Sequence, residues 1–152
     1  MENDSEEEDQ LSPEDQLIVA AGEGNLVRVR ELLRENPDMN INLGDDYDGM
    51  TALHCASLWN RHKVVKELLR HPGIDVNVLD DEGDTAFLIA CMEENKQIVR
   101  LLIKDPRVDL TIPESTLQSP ILKVALDCGK RAVWGLSKRL CGSLPAGETL
   151  EI

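Results

Sequence analysis

The sequence predicts an all-α repeat protein, a solenoid of about four helix-turn-helix units with β-hairpin fingers between them. First, residues 48–56 (DGMTALHCA) return 34 positions later as residues 82–90 (EGDTAFLIA). Second, each copy holds two short apolar-periodic stretches joined by a tight turn, as paired helices would. Third, only 3% of the residues are aromatic, so the core must consist of Leu, Val, Ile and Ala, which favours short helices. Such helices are marginal alone and must bury their apolar faces against neighbouring copies.

The first copy opens with a helix start, because Ser12 is a candidate N-cap and Pro13 suits the first helical turn. Its apolar pattern then runs through residues 17–21 and 24–33. In the second and third copies the match extends through a second helix into the next finger. The equivalent segments are 64–65 and 98–99, 68–69 and 102–103, and 74–76 and 108–110.

The fourth copy is thinner. Residues 112–118 lack the Asp and Gly of a hairpin and predict a plain loop, and residues 120–125 echo the helical pattern weakly. Basic residues interrupt its apolar positions, as expected of a capping repeat. We divide the chain into an acidic disordered arm, a repeat domain of four repeats and a tail, at residues 1–10, 11–141 (repeats at about 11–44, 45–79, 80–113 and 114–141) and 142–152.

The second copy resembles the ankyrin repeat, whose motif is roughly D-x-x-G-x-T-P-L-H-x-A-A-x-x-G-H-x-x-V-V-x-x-L-L followed by G-A-D-V-N. The matching residues are Gly49, Thr51, Leu53, His54, Ala56, Val65, Leu68, Leu69, Asp75, Val76 and Asn77. The resemblance implies a non-enzymatic protein-binding module in which His54 packs beside Thr51 and ties the hairpin to the next helix. The chain departs from the family pattern at the turn between the two helices of a repeat. The first copy has the expected glycine, Gly24, but the second and third copies have Asn60 and Glu94 at this position. The third turn is therefore expected to be strained.

In ankyrin stacks the variable positions lie at the hairpin tips and on the exposed side of the first helix, where they line a concave groove. The positions that this resemblance assigns to partner binding are Tyr47, Asp48, Met50, Leu58, Trp59, Asp81, Glu82, Asp84, Met92 and Glu93. Exposed apolar groups rimmed by charge mark docking sites, and Trp and Tyr often anchor them. We expect a monomer that captures a basic or amphipathic segment of a partner protein. The alternative for Leu58 and Trp59 is packing against the neighbouring repeat.

Two other functions remain open. The chain could be a stoichiometric inhibitor that covers a catalytic or DNA-binding surface, with the acids of residues 80–84 imitating phosphate. It could also be a fragment of a larger scaffold, as the thin fourth copy suggests. An inhibitor abolishes its partner's activity at equimolar ratio, whereas an adaptor leaves that activity intact.

Charge and hydropathy limit the partners and the compartment. The formal net charge is −13 with no sustained basic stripe, which argues against nucleic acid. No apolar run is long enough to span a bilayer, and residues 1–10, with six acids and no apolar run, are unlike a secretory signal. We therefore expect a cytoplasmic or nuclear protein that binds no membrane. In that compartment the four cysteines should be free thiols, namely Cys55, Cys91, Cys128 and Cys141.

The sequence predicts no catalytic, metal or cofactor site. His54 and Cys55 are adjacent on a helix, where neighbouring side chains diverge and do not form a dyad. The acids of residues 80–84 lack the ladder and distal Glu of a calcium loop, which favours a solvated hairpin tip. The chain also has no glycine-rich phosphate-binding motif.

Two residues are candidates for modification. Ser5 precedes three Glu, as in sites of acidophilic kinases, and the alternative is a solubilising tail. The resemblance to ankyrin domains, which are substrates of an asparaginyl hydroxylase, makes Asn77 the second candidate. That enzyme prefers a Leu eight residues before its target and an acidic-apolar pair just before it, as in Leu69 and residues 75–76. The alternative is that Asn77 stabilises the hairpin turn. Residues 150–152 look like a weak ligand for a PDZ domain.

Overall fold

The computed structural model describes residues 11–109, which form six helices in three consecutive pairs. The helices are α1 (Pro13–Glu23), α2 (Leu26–Glu35), α3 (Ala52–Leu58), α4 (His62–Leu68), α5 (Ala86–Met92) and α6 (Lys96–Lys104). The all-helical repeat architecture predicted from the sequence is thereby confirmed. The predicted arm at residues 1–10 and the fourth repeat and tail at residues 114–152 lie outside the described residues, as do Ser5, Cys128 and Cys141.

Side-chain caps start most of these helices. The Ser12 hydroxyl accepts a hydrogen bond from the Asp15 N–H at 3.1 Å, so the predicted helix start is correct. Thr51 and His54 form a reciprocal capping box at the start of α3. In the next repeat the Thr85 hydroxyl accepts from the Leu88 N–H. Since Ala52 and Ala86 replace the usual proline, these threonine caps define where α3 and α5 begin.

The turn inside each pair has a residue with left-handed backbone conformation. Gly24 has φ +79°, Asn60 has φ +56° and Glu94 has φ +54°. Glycine adopts this conformation freely and asparagine tolerates it, but a glutamate does so at a cost of about 1–2 kcal/mol. The strain that the sequence predicts for the third turn is therefore present at Glu94.

The helices form two layers around one apolar core. Helices α1, α3 and α5 contact one another in order and form the first, or inner, row, and α2, α4 and α6 form the second, or outer, row. Leu17, Leu53 and Phe87 occupy equivalent buried positions in the first row, and Val29, Val65 and Val99 do so in the second. The core therefore runs unbroken through all three repeats, as a solenoid requires. In residues 11–109 no helix is long and apolar enough to cross a membrane.

Two turn-shaped fingers project between the pairs, the first finger at residues 44–50 and the second finger at residues 79–84. Asp45 N–H donates to the Met50 carbonyl at 3.1 Å, and Asp80 N–H donates to the Asp84 carbonyl at 3.0 Å. Across residues 11–109 neither finger forms a strand. The fingers are seven and six residues long, and each is closed by one backbone hydrogen bond and by an aspartate side chain.

Polar side chains join each repeat to the next. Asn42 Nδ2 donates to the Gly73 carbonyl at 2.9 Å, and its Oδ1 accepts from the Asp75 N–H at 2.7 Å. Asn77 repeats this geometry one repeat later, with the Arg107 carbonyl at 2.8 Å and the Asp109 N–H at 2.6 Å. The Asn77 side chain therefore has a structural role, but its bonds join its repeat to the next one and do not lie within its own turn.

Candidate protein-binding groove

Most of the groove positions predicted from the sequence are accessible on the inner helices and the fingers. Tyr47 is 95% exposed at the tip of the first finger, and Trp59 is 60% exposed at the end of α3. Leu58 and Asp84 are half-buried. The remaining exposed positions are Asp48, Asp81, Glu82, Met92 and Glu93.

Met50 departs from this expectation, because only 9% of its surface is exposed. It lies at the neck of the first finger, directly before the Thr51 cap. Its N–H donates to an Asp48 carboxylate oxygen and its carbonyl accepts from the Asp45 N–H. These two bonds close the finger and leave the Met50 side chain buried. The expectation that Met50 is exposed is therefore wrong, and its part in partner binding stays a prediction.

A cleft of about 420 Å³ opens between α1 and α3 on the inner row. Its lining combines apolar side chains from two repeats with the charged Arg61 and Glu23. The lining residues are Ile18, Val19, Gly22, Glu23, Cys55, Trp59 and Arg61. An open apolar cleft with few polar groups is the usual form of a ligand or side-chain pocket.

Trp59 forms one wall of this cleft by leaning towards the first repeat. A Cβ atom placed on Gly22 would lie 3.5 Å from Trp59 Cδ1, which is ordinary van der Waals contact. Arg61 Nε donates to the Gly22 carbonyl at 2.9 Å and joins the same two repeats. Trp59 thus lies beside Gly22 of the neighbouring repeat, and it remains largely exposed.

The acids of the first finger act on this cleft electrostatically. Burial, followed by repulsion from the Asp45 and Asp48 carboxylates, raises the pKa of the Cys55 thiol to about 11. At neutral pH the thiol is therefore protonated and unreactive. The same field that disfavours a thiolate favours a cation at the mouth of the cleft.

The two fingers are stacked, which concentrates their acids. Asp81 N–H donates to the Asp48 carbonyl at 2.9 Å. The pKa of Asp48 is raised by burial, by its hydrogen bond with Asp45 and by repulsion from Asp45 and Asp80. Burial and repulsion from Asp80 likewise raise the pKa of Asp84. Because these carboxylates repel one another, a partner that supplies Lys or Arg would relieve the repulsion and be attracted to the fingers.

Both ring nitrogens of His54 form hydrogen bonds within the structure. Thr51 N–H donates to His54 Nδ1 at 3.1 Å, so Nε2 carries the proton and donates to the Asp84 carbonyl at 3.1 Å. This is the tie between hairpin and helix that the resemblance implies for His54. Burial lowers the pKa of this imidazole, which keeps it neutral.

Within residues 11–109 no group of three His, Cys, Asp or Glu side chains could hold a metal ion. The Asp80 carboxylate, central to the second finger, accepts from the Glu82 and Asp84 N–H groups at 3.0 and 2.8 Å. The Asp80 carboxylate therefore shapes the turn of the second finger.

The site predicted from the sequence includes no residue of the first repeat, although that repeat contributes to the groove. Val19 and Gly22 line the cleft, but neither stands at a finger tip or in the second copy on which the mapping rested. One signal was available, since Val19 is an apolar residue on the exposed side of the first inner helix.

Three stacked helix pairs with a shared core and an open inner groove define an α-solenoid repeat protein. A family description of ankyrin repeats in three copies matches residues 2–80, and a single ankyrin repeat matches residues 82–114. The chain belongs to the ankyrin repeat family and is a non-enzymatic protein-interaction module.

A curated relative is the "I-Kappa-B like protein C2" of Microplitis demolitor bracovirus (isolate Webb). It is 40% identical to this chain over 52 residues, which cover 34% of this chain. The matched stretch spans 29% of the viral protein, so the similarity concerns about one and a half repeats.

Proposed function

We propose that this protein captures a basic or amphipathic segment of a partner protein in the groove formed by α1, α3 and the two fingers. An apolar side chain of the partner enters the cleft beside Trp59, and its Lys or Arg residues meet the finger carboxylates. The anchor residues are Val19, Tyr47, Leu58 and Trp59, with Met92 extending the apolar surface to α5.

The observation that supports this function best is the position of the cleft within the field of the first finger. Asp45 and Asp48 act on Cys55 inside the cleft, so apolar and anionic recognition elements are adjacent. A partner that is only apolar would leave the acids unpaired, and one that is only basic would leave the indole exposed. An amphipathic basic segment satisfies both.

The test uses a fluorescein-labelled helical peptide with leucines on one face and lysines on the other. Trp59→Ala should weaken its binding by about 2 kcal/mol or more, mainly through faster dissociation, since a central aromatic anchor is lost. Val27→Ala is the matched control, because Val27 is 67% exposed on α2, in the opposite row. Equal effects of the two variants on binding would refute the groove assignment.

Reversing the charge of finger acids provides a second test, which is kinetic. Reversing the exposed Asp81 and Glu82 to Lys should slow association and reduce its salt dependence while changing dissociation less, because rim charges mainly steer encounter. Circular dichroism must first show that these variants and Trp59→Ala are folded. If Trp59→Ala lowers the melting temperature by several degrees, the indole belongs to the inter-repeat packing.

A second candidate function is stoichiometric inhibition of a partner. The similarity to the bracoviral I-kappa-B-like protein favours it. In that case the acids of the second finger would be buried against the partner, and the same charge reversal would chiefly speed dissociation. Loss of a captured partner's activity at equimolar ratio would favour the inhibitor, and unchanged activity the adaptor.

A further inference from the structure

The outer row of helices carries a second cleft with the opposite charge. It has a volume of about 390 Å³ and lies between α4 and α6. We call it the outer cleft; it is lined by His62, Lys63, Lys66, Gln97, Arg100 and Leu101. No acid is among these residues, although the whole chain has a net charge of −13.

An ion pair that is present between α2 and α4 is missing between α4 and α6, where the outer cleft lies. Arg30 on α2 donates to Glu67 on α4, with Nη2 at 2.8 Å and Nε at 3.1 Å from the same carboxylate oxygen. Counting from the left-handed turn residues, Lys66 takes the place of Arg30 and Leu101 that of Glu67 one repeat later. A leucine thus stands where the counter-ion of Lys66 would be.

Nearby acids do not compensate for this loss. Glu67 is the one carboxylate on α4, and it is bound to Arg30 and lies 3.8 Å from Arg70. Within residues 11–109, Lys63, Lys66 and Arg100 have no ion-pair partner. Three cations therefore surround one half-buried leucine that packs on the core.

We propose that the outer cleft is a second docking site, distinct from the groove, that binds an acidic protein segment carrying carboxylates around an apolar residue. The carboxylates pair with Lys66 and Arg100, and the apolar side chain covers Leu101. In this arrangement the partner supplies the charge that Glu67 supplies between α2 and α4.

The size and surroundings of the outer cleft favour a peptide over other polyanions. Nucleic acid requires a track of cations spaced along the phosphate backbone, whereas Glu67 and Glu31 interrupt the cations of the outer row. An anionic membrane is recognised by clustered cations with apolar residues that insert into the interface, but Leu101 is half-buried at the cleft floor. A short acidic segment fits the cavity and both of its chemistries.

The experiment measures binding of a fluorescein-labelled peptide in which glutamate pairs flank a central leucine. The Lys66→Ala and Arg100→Ala double variant should weaken binding about fivefold to tenfold, from the loss of two exposed ion pairs. The Arg34→Ala and Lys104→Ala double variant removes the same charge from exposed outer-row positions that do not line the cleft. It should bind like wild type, and the glutamine version of the peptide should bind neither double variant nor wild type.

Leu101→Glu gives an independent test, because it would place a carboxylate beside Lys66 as Glu67 lies beside Arg30. It should abolish peptide binding while an amphipathic basic peptide still enters the groove, which shows that the variant is folded. Equal losses in the two double variants would mean that only net charge matters and would overturn the proposal. The proposal would also be overturned if oligothymidylate or phosphatidylserine vesicles bound in place of the peptide and only the Lys66→Ala and Arg100→Ala double variant weakened that binding.

Discussion

Replacing Glu94 by glycine should stabilise the protein, because Glu94 occupies a left-handed turn that the first repeat gives to glycine. Its φ is +54°, against +79° for Gly24. In residues 11–109 its side chain makes no hydrogen bond or ion pair that the substitution would lose. The backbone bonds of the turn, Glu94 N–H to Cys91 O and Lys96 N–H to Glu94 O, need no side chain.

The expected gain follows from two opposing effects. A residue with a Cβ atom loses about 1–2 kcal/mol in the left-handed region, and glycine avoids this loss. Glycine also makes the unfolded chain more flexible, which removes about 0.4–1 kcal/mol of the gain. The net stabilisation should be about 1 kcal/mol, or about 2–4 °C in melting temperature for a chain of this size.

Urea unfolding followed by circular dichroism measures this gain, and three variants isolate its cause. Glu94→Ala removes the same negative charge but keeps Cβ, so it should leave stability nearly unchanged. Asn60→Gly should gain less than Glu94→Gly, since asparagine tolerates φ +56°. Glu93→Gly, at φ −82°, should destabilise. If Glu94→Ala stabilises as much as Glu94→Gly, the effect is electrostatic and the backbone argument fails.

Two further outcomes are expected from the buried polar groups. The Ser57 hydroxyl is buried with no hydrogen-bond partner among the described residues, so Ser57→Ala should raise stability by about 1 kcal/mol in urea unfolding. A lower midpoint would show that the hydroxyl has a partner. Burial lowers the pKa of His54 from 6.5, so the unfolded state binds a proton more readily. The contribution of His54 to the free energy of unfolding should then be greatest above about pH 6.5 and should decrease as the pH drops below that value. His54→Gln should flatten this slope, and an unchanged slope would assign it to another group.

The helices and their ties could be predicted from the sequence because their causes are local or repeated. Ser12, Thr51 and Thr85 cap helices through bonds to residues three positions ahead. The strain at Glu94 follows from one position compared with Gly24. Such features need no knowledge of how one repeat lies against the next.

The binding surfaces could be predicted only in part, because they depend on contacts between repeats. The Trp59 indole lies over Gly22, which carries no signal of its own. Met50 matches an exposed position in the repeat pattern, but the closure of the first finger turns it inward. The outer cleft results from the register of Lys66 against Leu101, two residues that are unremarkable when each is considered alone.

The separation of stabilising and surface residues makes the two docking sites testable. Asn42 and Asn77 bond backbone groups of the following repeat, and Arg61 and Asn95 bond carbonyl groups of the preceding one. The stack is therefore held by its core and by these bonds. Trp59, Lys66 and Arg100 contribute no hydrogen bond that joins the described repeats, so their truncation should leave folding largely intact. Because the groove and the outer cleft belong to opposite rows with opposite charge, a loss confined to one peptide identifies one site.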